Sequence, residues 1–325
     1  MRVLVTGAGG FVAAHLAEFL RREAAGVELV GLVRPHGSAP SAGAGFSTFR
    51  EADLTDPAGM EGVLDAFLPD RIVHLAGQSS VHLSWLDPGG TLRANVLGLV
   101  HLLDAVRRRG ARPAVLVVGS AEEYGPIPES ELPLVEDRPL QPASPYAVSK
   151  VAQACLAVQY GPAGGMRVVR TRTFHHTGPG RGETFAESSF ARQLAEVEAG
   201  LAPPVLHVGN LDAVRDYTDV RDVVRAYWAL LERGQAGAVY NVCSGRPRRI
   251  RDLLDMLLAA SRAKVEIRVD AERLRRADVP AQYGDPRRLK EATGWEPRVP
   301  LETSLRDLLE DWRRRVRRDP SGASA

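Results

Sequence analysis

A chain of 325 residues with 44% hydrophobic content can bury one large core or two moderate ones. Forty-two Lys and Arg against 40 Asp and Glu leave a net charge of +2, so no global field draws the chain to nucleic acid or a membrane. Cys155 and Cys243 match no metal or redox spacing and are expected as reduced, buried thiols; with no leader pattern before Arg2 and no apolar run of ~18 residues, a cytoplasmic protein is expected.

The elements then alternate. VLV at 3 to 5 precedes a helical FVAAHLAEFLRRE, the strand ELVGLV at 28 to 33 precedes another helix, and RIVHLA at 71 to 76 precedes a third. AVLVVGS at 114 to 120, a helix from Pro145 to Tyr160 and the strand MRVVRTRTF at 166 to 174 continue the series. Strands apolar on both sides, separated by helices, predict a doubly wound α/β fold around a parallel sheet. Beyond Phe174 the pattern loosens into helices near 184–200, 219–233, 249–261 and 301–316 and a strand at 238–242. The expected division is a dinucleotide-binding domain of 1–172 plus roughly 212–242, a smaller interleaved lobe of roughly 173–211 and 243–318, and a tail at 319–325. HGSAPSAGAG at 36 to 45 reads as a loop, and Trp85 and Trp228 as core packing.

TGAGGFVAAHL follows the first strand and opens the first helix, which puts Gly7 and Gly10 where backbone must approach a pyrophosphate, as in a Rossmann site. An NAD-selective site carries an acid after the second strand, but here LVRPH places Arg34; this favours the 2′-phosphate of NADP(H) over NAD(H), unless Arg34 is a solvated loop charge. Asp53, in EADLTD, is placed either to accept from an adenine amine or to cap the next helix. PYAVSK puts Tyr146 and Lys150 one helical turn apart, where an ammonium stabilises a phenolate and makes a general acid or base. Ser120 ends the fifth strand at the sheet edge where ligands bind, so its hydroxyl can hold a carbonyl or alkoxide oxygen. His175 and His176 are adjacent but lack a third ligand of suitable spacing, so no metal is expected. The five arginines of WRRRVRRDP suit a solvated helix C-terminus better than a nucleic-acid patch.

TGAGGF, DLTD, HLAG, GSAEEYG and PYAVSK together resemble the extended short-chain dehydrogenase/reductases that modify nucleotide sugars, over nearly the whole chain. SSVHLSWLDP, TRTFHHTGPGRG, VGNLDAVRDYTDVRD and YNVCSG look like the GDP-sugar branch, and most like its reductases. The resemblance implies a Ser120, Tyr146 and Lys150 triad, with Lys150 also on the nicotinamide ribose. It implies further cofactor contacts at Phe11, Val12, Leu54, Leu75, Ala76, Gly77 and His176. It puts a GDP-linked deoxysugar against Ser79, His175, Val208 and Asn210, with Arg215 and Arg275 on its diphosphate and Asp278 on a ribose hydroxyl, although surface arginines remain an alternative. His175 stands where the family usually has Asn, which leaves its role open. The implied reaction is reduction of the 4-keto group of GDP-4-keto-6-deoxy-D-mannose to GDP-D-rhamnose. Glu122 lies where 4,6-dehydratases keep a carboxylate, so GDP-mannose 4,6-dehydratase or another epimerase/dehydratase is the alternative; a sensor without turnover is the non-enzyme one. A homodimer through the helices at 92–108 and 145–160 is also implied.

Overall fold

The computed structural model of the protein describes residues 1–24, 26–35, 45–273 and 279–318. In chain order, β1 (Arg2–Thr6), α1 (Phe11–Glu23), β2 (Glu28–Val33), β3 (Thr48–Glu51), α2 (Pro57–Ala66) and β4 (Arg71–His74) come first. Helices α3 (Val81–Leu86), α4 (Pro88–Leu92) and α5 (Gly98–Arg108) lead to β5 (Ala114–Ser120), and α6 (Pro145–Gly164) leads to β6 (Arg167–Thr173). Then follow β7 (His175–Thr177), α7 (Ala186–Glu198), β8 (Val205–Val208), β9 (Val214–Asp219), α8 (Val220–Arg233) and β10 (Val239–Val242). The last elements are β11 (Pro247–Arg249), α9 (Ile250–Ala260), β12 (Glu266–Val269), β13 (Ala281–Gln282), α10 (Arg287–Thr293) and α11 (Leu301–Arg318).

Seven strands form the main sheet in the order β10-β6-β5-β4-β1-β2-β3, every pair parallel. The chain leaves β1 toward β3 on one side and then crosses to β4 on the other, which opens a crevice at the strands' C-terminal ends. Both faces of the sheet are covered, as the continuous apolar strands require. On one face Leu16 and Leu20 of α1 meet Val224 and Tyr227 of α8; on the other, Leu64 of α2, Leu102 of α5 and Ala157 of α6 pack over Leu4 and Val115. A separate core of Phe190, Leu194, Leu254 and Leu308 joins α7, α9 and α11 beside the parallel pair β8–β12.

Helix α6 is fixed by its own ends. Ser144 caps it by accepting the Ala147 N–H at 3.1 Å, Pro145 occupies the first turn, and Gly165 stops it in the left-handed conformation. Three sequence expectations fail here. Trp85 is 63% exposed and packs in no core, whereas Trp228 is buried with the Arg71 guanidinium 4.9 Å from its ring. Cys155 is exposed because it falls on the outer face of α6; only Cys243 is buried. The run at 92–108 is no single α-helix, since a π turn at Arg93–Leu97 inserts one extra residue between α4 and α5. The strands β7, β8, β11, β12 and β13 escape sequence reading because two to four residues carry no period. Residues 36–44 of the expected loop and the tail at 319–325 lie outside the described residues. Among the described residues, no helix is long and apolar enough to cross a membrane and no cluster of His, Cys, Asp and Glu fits a metal ion.

Candidate active site

The turn after β1 brings Gly7 and Gly10 to the mouth of the crevice. Gly7 has φ of 69°, and a Cβ there would stand 2.9 Å from the backbone of Ala76, so β1 and the loop after β4 close on each other through a residue without a side chain. Thr6 ties the same junction: its hydroxyl meets His74 Nδ1 at 2.9 Å and accepts the Ala76 N–H at 3.1 Å. The first turn of α1 carries no acidic residue and no side-chain cap at Gly10, so no side chain of that turn neutralises its N–H groups. Phe11, Val12, Leu54, Leu75 and Ala76 are all half-buried around this mouth. Arg34, exposed after β2, acts electrostatically on Asp53 and, after the Thr55 hydrogen bonds, helps hold that carboxyl below its usual range. Asp53 is not the cap of α2. Its Oδ1 accepts from Thr55 N and Oγ1, both at 2.8 Å, and Asp56 does the capping.

Tyr146 and Lys150 point inward from α6 against the end of β5. Both side chains are buried, and the Lys150 ammonium donates to Val118 O at 2.9 Å and to Gln153 Oε1 at 3.0 Å. Burial pushes the Tyr146 phenol up to about 12; hydrogen bonding with Ser120 opposes that rise, and the charges of Glu122 and Glu123 add to it. The expectation that Lys150 depresses the phenol is therefore not met: desolvation of the phenolate wins, and the ammonium is directed at neutral acceptors. Lys150 itself is pushed down to about 8 by burial. Ser120 caps the short turn Ala121–Tyr124, its Oγ accepting the Glu122 N–H at 3.2 Å, which puts Glu122 within electrostatic range of Tyr146.

Four residues that the sequence did not single out complete the cluster. Asn95, placed by the π turn, accepts the Gln78 N–H at 2.7 Å and donates to Gln78 O at 3.0 Å and to Ser149 Oγ at 2.8 Å, so it clamps the end of the HLAG loop to α6. A polar residue inside the apolar run TLRANVLGLV was its only signal. Gln153 holds Lys150, and Glu123 accepts the Ser120 N–H at 2.9 Å. Arg181 is half-buried with its guanidinium 3.3 Å over Phe185 and 5.4 Å from the Phe11 ring, beside Glu187 at 3.6 Å, and its charge reaches Tyr146.

Across the crevice, β7 lies parallel to β9, setting His175 beside Tyr217 with ring centroids 5.4 Å apart. His176 bonds Phe174 O at 3.0 Å and stacks on Phe11 at 6.1 Å; burial first, then Arg181, pushes it down to about 3, so it is neutral. Arg215 is buried on β9 and donates to Val214 O at 2.9 Å and Val279 O at 2.7 Å. Gly77, Ser79 and Asn210 are exposed on loops, whereas the Val208 side chain is fully buried in the second core. Arg275 and Asp278 lie outside the described residues.

The family model described as GDP-mannose 4,6 dehydratase matches residues 4–308. The chain is 41% identical to the GDP-6-deoxy-D-mannose reductase of Pseudomonas aeruginosa, over 98% of this chain and 99% of that one. It is 28% identical to a GDP-mannose 4,6-dehydratase of Yersinia enterocolitica, over 95% and 92% of the two chains. Among solved structures, RMD from Pseudomonas aeruginosa complexed with NADPH superposes with a TM-score of 0.87 at 40% identity, covering 97% of this chain and 99% of that one. The UDP-glucose 4-epimerase of Thermus thermophilus in complex with NAD gives 0.83 at 29% identity, over 96% and 99%. Glycine turn, buried Tyr–Lys pair and end-to-end similarity agree: the chain belongs to the GDP-mannose 4,6-dehydratase family, within the extended short-chain dehydrogenase/reductases.

Proposed function

We propose that this chain is an NADPH-dependent oxidoreductase that reduces the 4-keto group of GDP-4-keto-6-deoxy-D-mannose to give GDP-D-rhamnose. The observation that carries this reading is Ser120, Tyr146 and Lys150 at one sheet edge, in a chain 41% identical end to end to a GDP-6-deoxy-D-mannose reductase. The Gly7–Ala76 approach forms a cradle that a Cβ would fill, and it fits a pyrophosphate on the first turn of α1. Gly10, Phe11 and Val12 would hold that group, Asp53 and Leu54 the adenosine, and Leu75, Ala76, Gly77, Lys150 and His176 the nicotinamide half. NADPH, when bound, supplies the hydride.

The protein's own residues then manage one oxygen and one proton. Ser120 orients the C4 carbonyl, and Tyr146 gives its proton to the oxygen as charge develops there. A phenol at about 12 suits this direction, because it stays protonated at neutral pH and still yields its proton to the far more basic alkoxide. Lys150 would hold the ribose with its ammonium, a point charge with rotatable donors. Ser79, His175, Asn210 and Arg215, with Arg275 and Asp278, are the residues we assign to the GDP-sugar; Val208 would act through its backbone.

Glu122 favours a second reading, because a carboxylate beside Ser120 and Tyr146 is placed to remove a sugar proton, as a 4,6-dehydratase requires. Purified protein settles the choice. Oxidation of NADPH with GDP-4-keto-6-deoxy-D-mannose is expected; formation of the keto sugar from GDP-mannose and NADP, without that oxidation, overturns the reductase. Arg34→Ala should raise the KM for NADPH about 10- to 100-fold with little change for NADH, since a charge-assisted contact to a 2′-phosphate is worth ~1.5–3 kcal/mol. Equal losses with both cofactors would remove Arg34 from that role.

We also infer a homodimer in the cytoplasm, where the two free cysteines stay reduced. Trp85, Leu92 and Val148 are exposed together around a groove beside the N-terminus of α6, as a helical interface through this face requires. Light scattering tests it.

A further inference from the structure

Glu123 is fully buried, and a buried carboxylate is costly unless it is paired and hydrogen-bonded. Its two oxygens do different things. Oε1 accepts the Ser120 N–H at 2.9 Å and closes a capping box over the turn; Oε2 accepts from Nε of buried Arg172 at 3.1 Å. The carboxylate reaches this place because residue 119 is glycine: a Cβ there would overlap both Glu123 Oε1 and the Thr171 carbonyl oxygen. Arg172 is held independently, donating to Tyr124 Oη at 3.1 Å and Glu136 O at 2.8 Å with its guanidinium 4.7 Å from the Tyr124 ring.

An ordinary structural ion pair would end there, but Glu123 also acts electrostatically on Lys150. That ammonium is enclosed and donates to two neutral acceptors, Val118 O and Gln153 Oε1. Of the titratable groups around it, His74 on β4 is held neutral by burial, Tyr146 on its own helix keeps its proton, and Arg170 and Arg172 on β6 are cations paired with Glu123's field. Among the described residues, Glu123 from the turn after β5 is the one anion that acts on the ammonium; Glu122 of the same turn acts on Tyr146, and Asp104 of α5 accepts from Tyr160 at the far end of α6.

We propose that Glu123 is a positioning residue for the reduction: one buried carboxylate both fixes the backbone of Ser120 and serves as the counter-charge of the Lys150 ammonium. The inference rests on the roles proposed above for Ser120 and Lys150. Protonated Lys150 is the working form, so wild-type activity is retained below about pH 8 and lost as the pH rises through it. The phenol at about 12 and the imidazoles of His74 and His176 at about 3 titrate outside that window.

The test compares the pH profiles of kcat for the full chain and for Glu123→Gln, with NADPH and GDP-4-keto-6-deoxy-D-mannose. Glutamine keeps an acceptor for the Ser120 N–H but removes the charge. The alkaline limb should move down by about one pH unit, so that activity falls roughly fivefold at pH 8 and less than about twofold at pH 6. A loss of the same size at both pH values, with the limb unmoved, would mean that Glu123 only packs the turn, and would overturn the proposal. Removing one partner of a buried pair can prevent folding. Glu123→Gln/Arg172→Gln takes out both charges and must still move the limb down, by less than the single variant because a cation leaves with the anion. A wild-type protein that does not oxidise NADPH with this sugar instead refutes the reductase reading itself.

Discussion

Tyr146→Phe should lower kcat for NADPH-dependent reduction by about 10²- to 10⁴-fold, the usual contribution of a positioned general acid, and leave the Kd for NADPH within a few-fold of wild type. The phenol is buried against Ser120, and no other side chain of the cluster offers a proton with comparable placement. Lys150 donates to Val118 O and Gln153 instead, and the neutral His176 bonds the Phe174 carbonyl. The fold should not suffer. Removing a buried hydroxyl leaves a ring of the same shape, so the melting temperature should stay put or rise slightly. Single-turnover kinetics reads the chemical step directly. Reduction within tenfold of the wild-type rate would remove Tyr146 as the acid and send the assignment to Ser120 or to water.

Asp216→Ala should cost roughly 3–5 kcal/mol of stability, because the carboxylate is fully buried and satisfies several donors at once. It accepts from Ser244 N at 2.8 Å, Ser244 Oγ at 2.6 Å, Gly245 N at 2.9 Å and Gly284 N at 3.4 Å. Those partners belong to the loop after β10 and the stretch after β13, so one side chain fastens both to β9, next to Arg215 and Tyr217. Burial raises the Asp216 pKa, and the four hydrogen bonds oppose that rise. The midpoint of urea unfolding checks the prediction. A loss below ~1 kcal/mol would mean that water replaces the carboxylate and that the loops hold by packing alone.

The strands around β9 depend on that fastening. β9 lies between β11 and β13 and also pairs with β7, and the register places His175 beside Tyr217 and Arg248 beside Arg215. His175 replaces the family's usual Asn with a ring packed against Tyr217.

By itself the sequence determined the main sheet, the glycine turn and the order of the catalytic pair. These are local: a strand's alternation, a helix's caps at Ser144 and Gly165, and the one-turn spacing of Tyr146 and Lys150 all repeat within a few residues. Only the tertiary structure decided the rest. That Asn95 faces the HLAG loop depends on an extra residue in a π turn, and that Trp85 is exposed depends on which face of α3 and α6 the sheet leaves uncovered. The protonation states are likewise collective. The sequence puts an ammonium near a phenol, but the sign of the net shift on Tyr146 follows from burial by β5, α6 and the turn that carries Glu122 and Glu123. Desolvation is a property of everything packed around a group, and no spacing along the chain reports it.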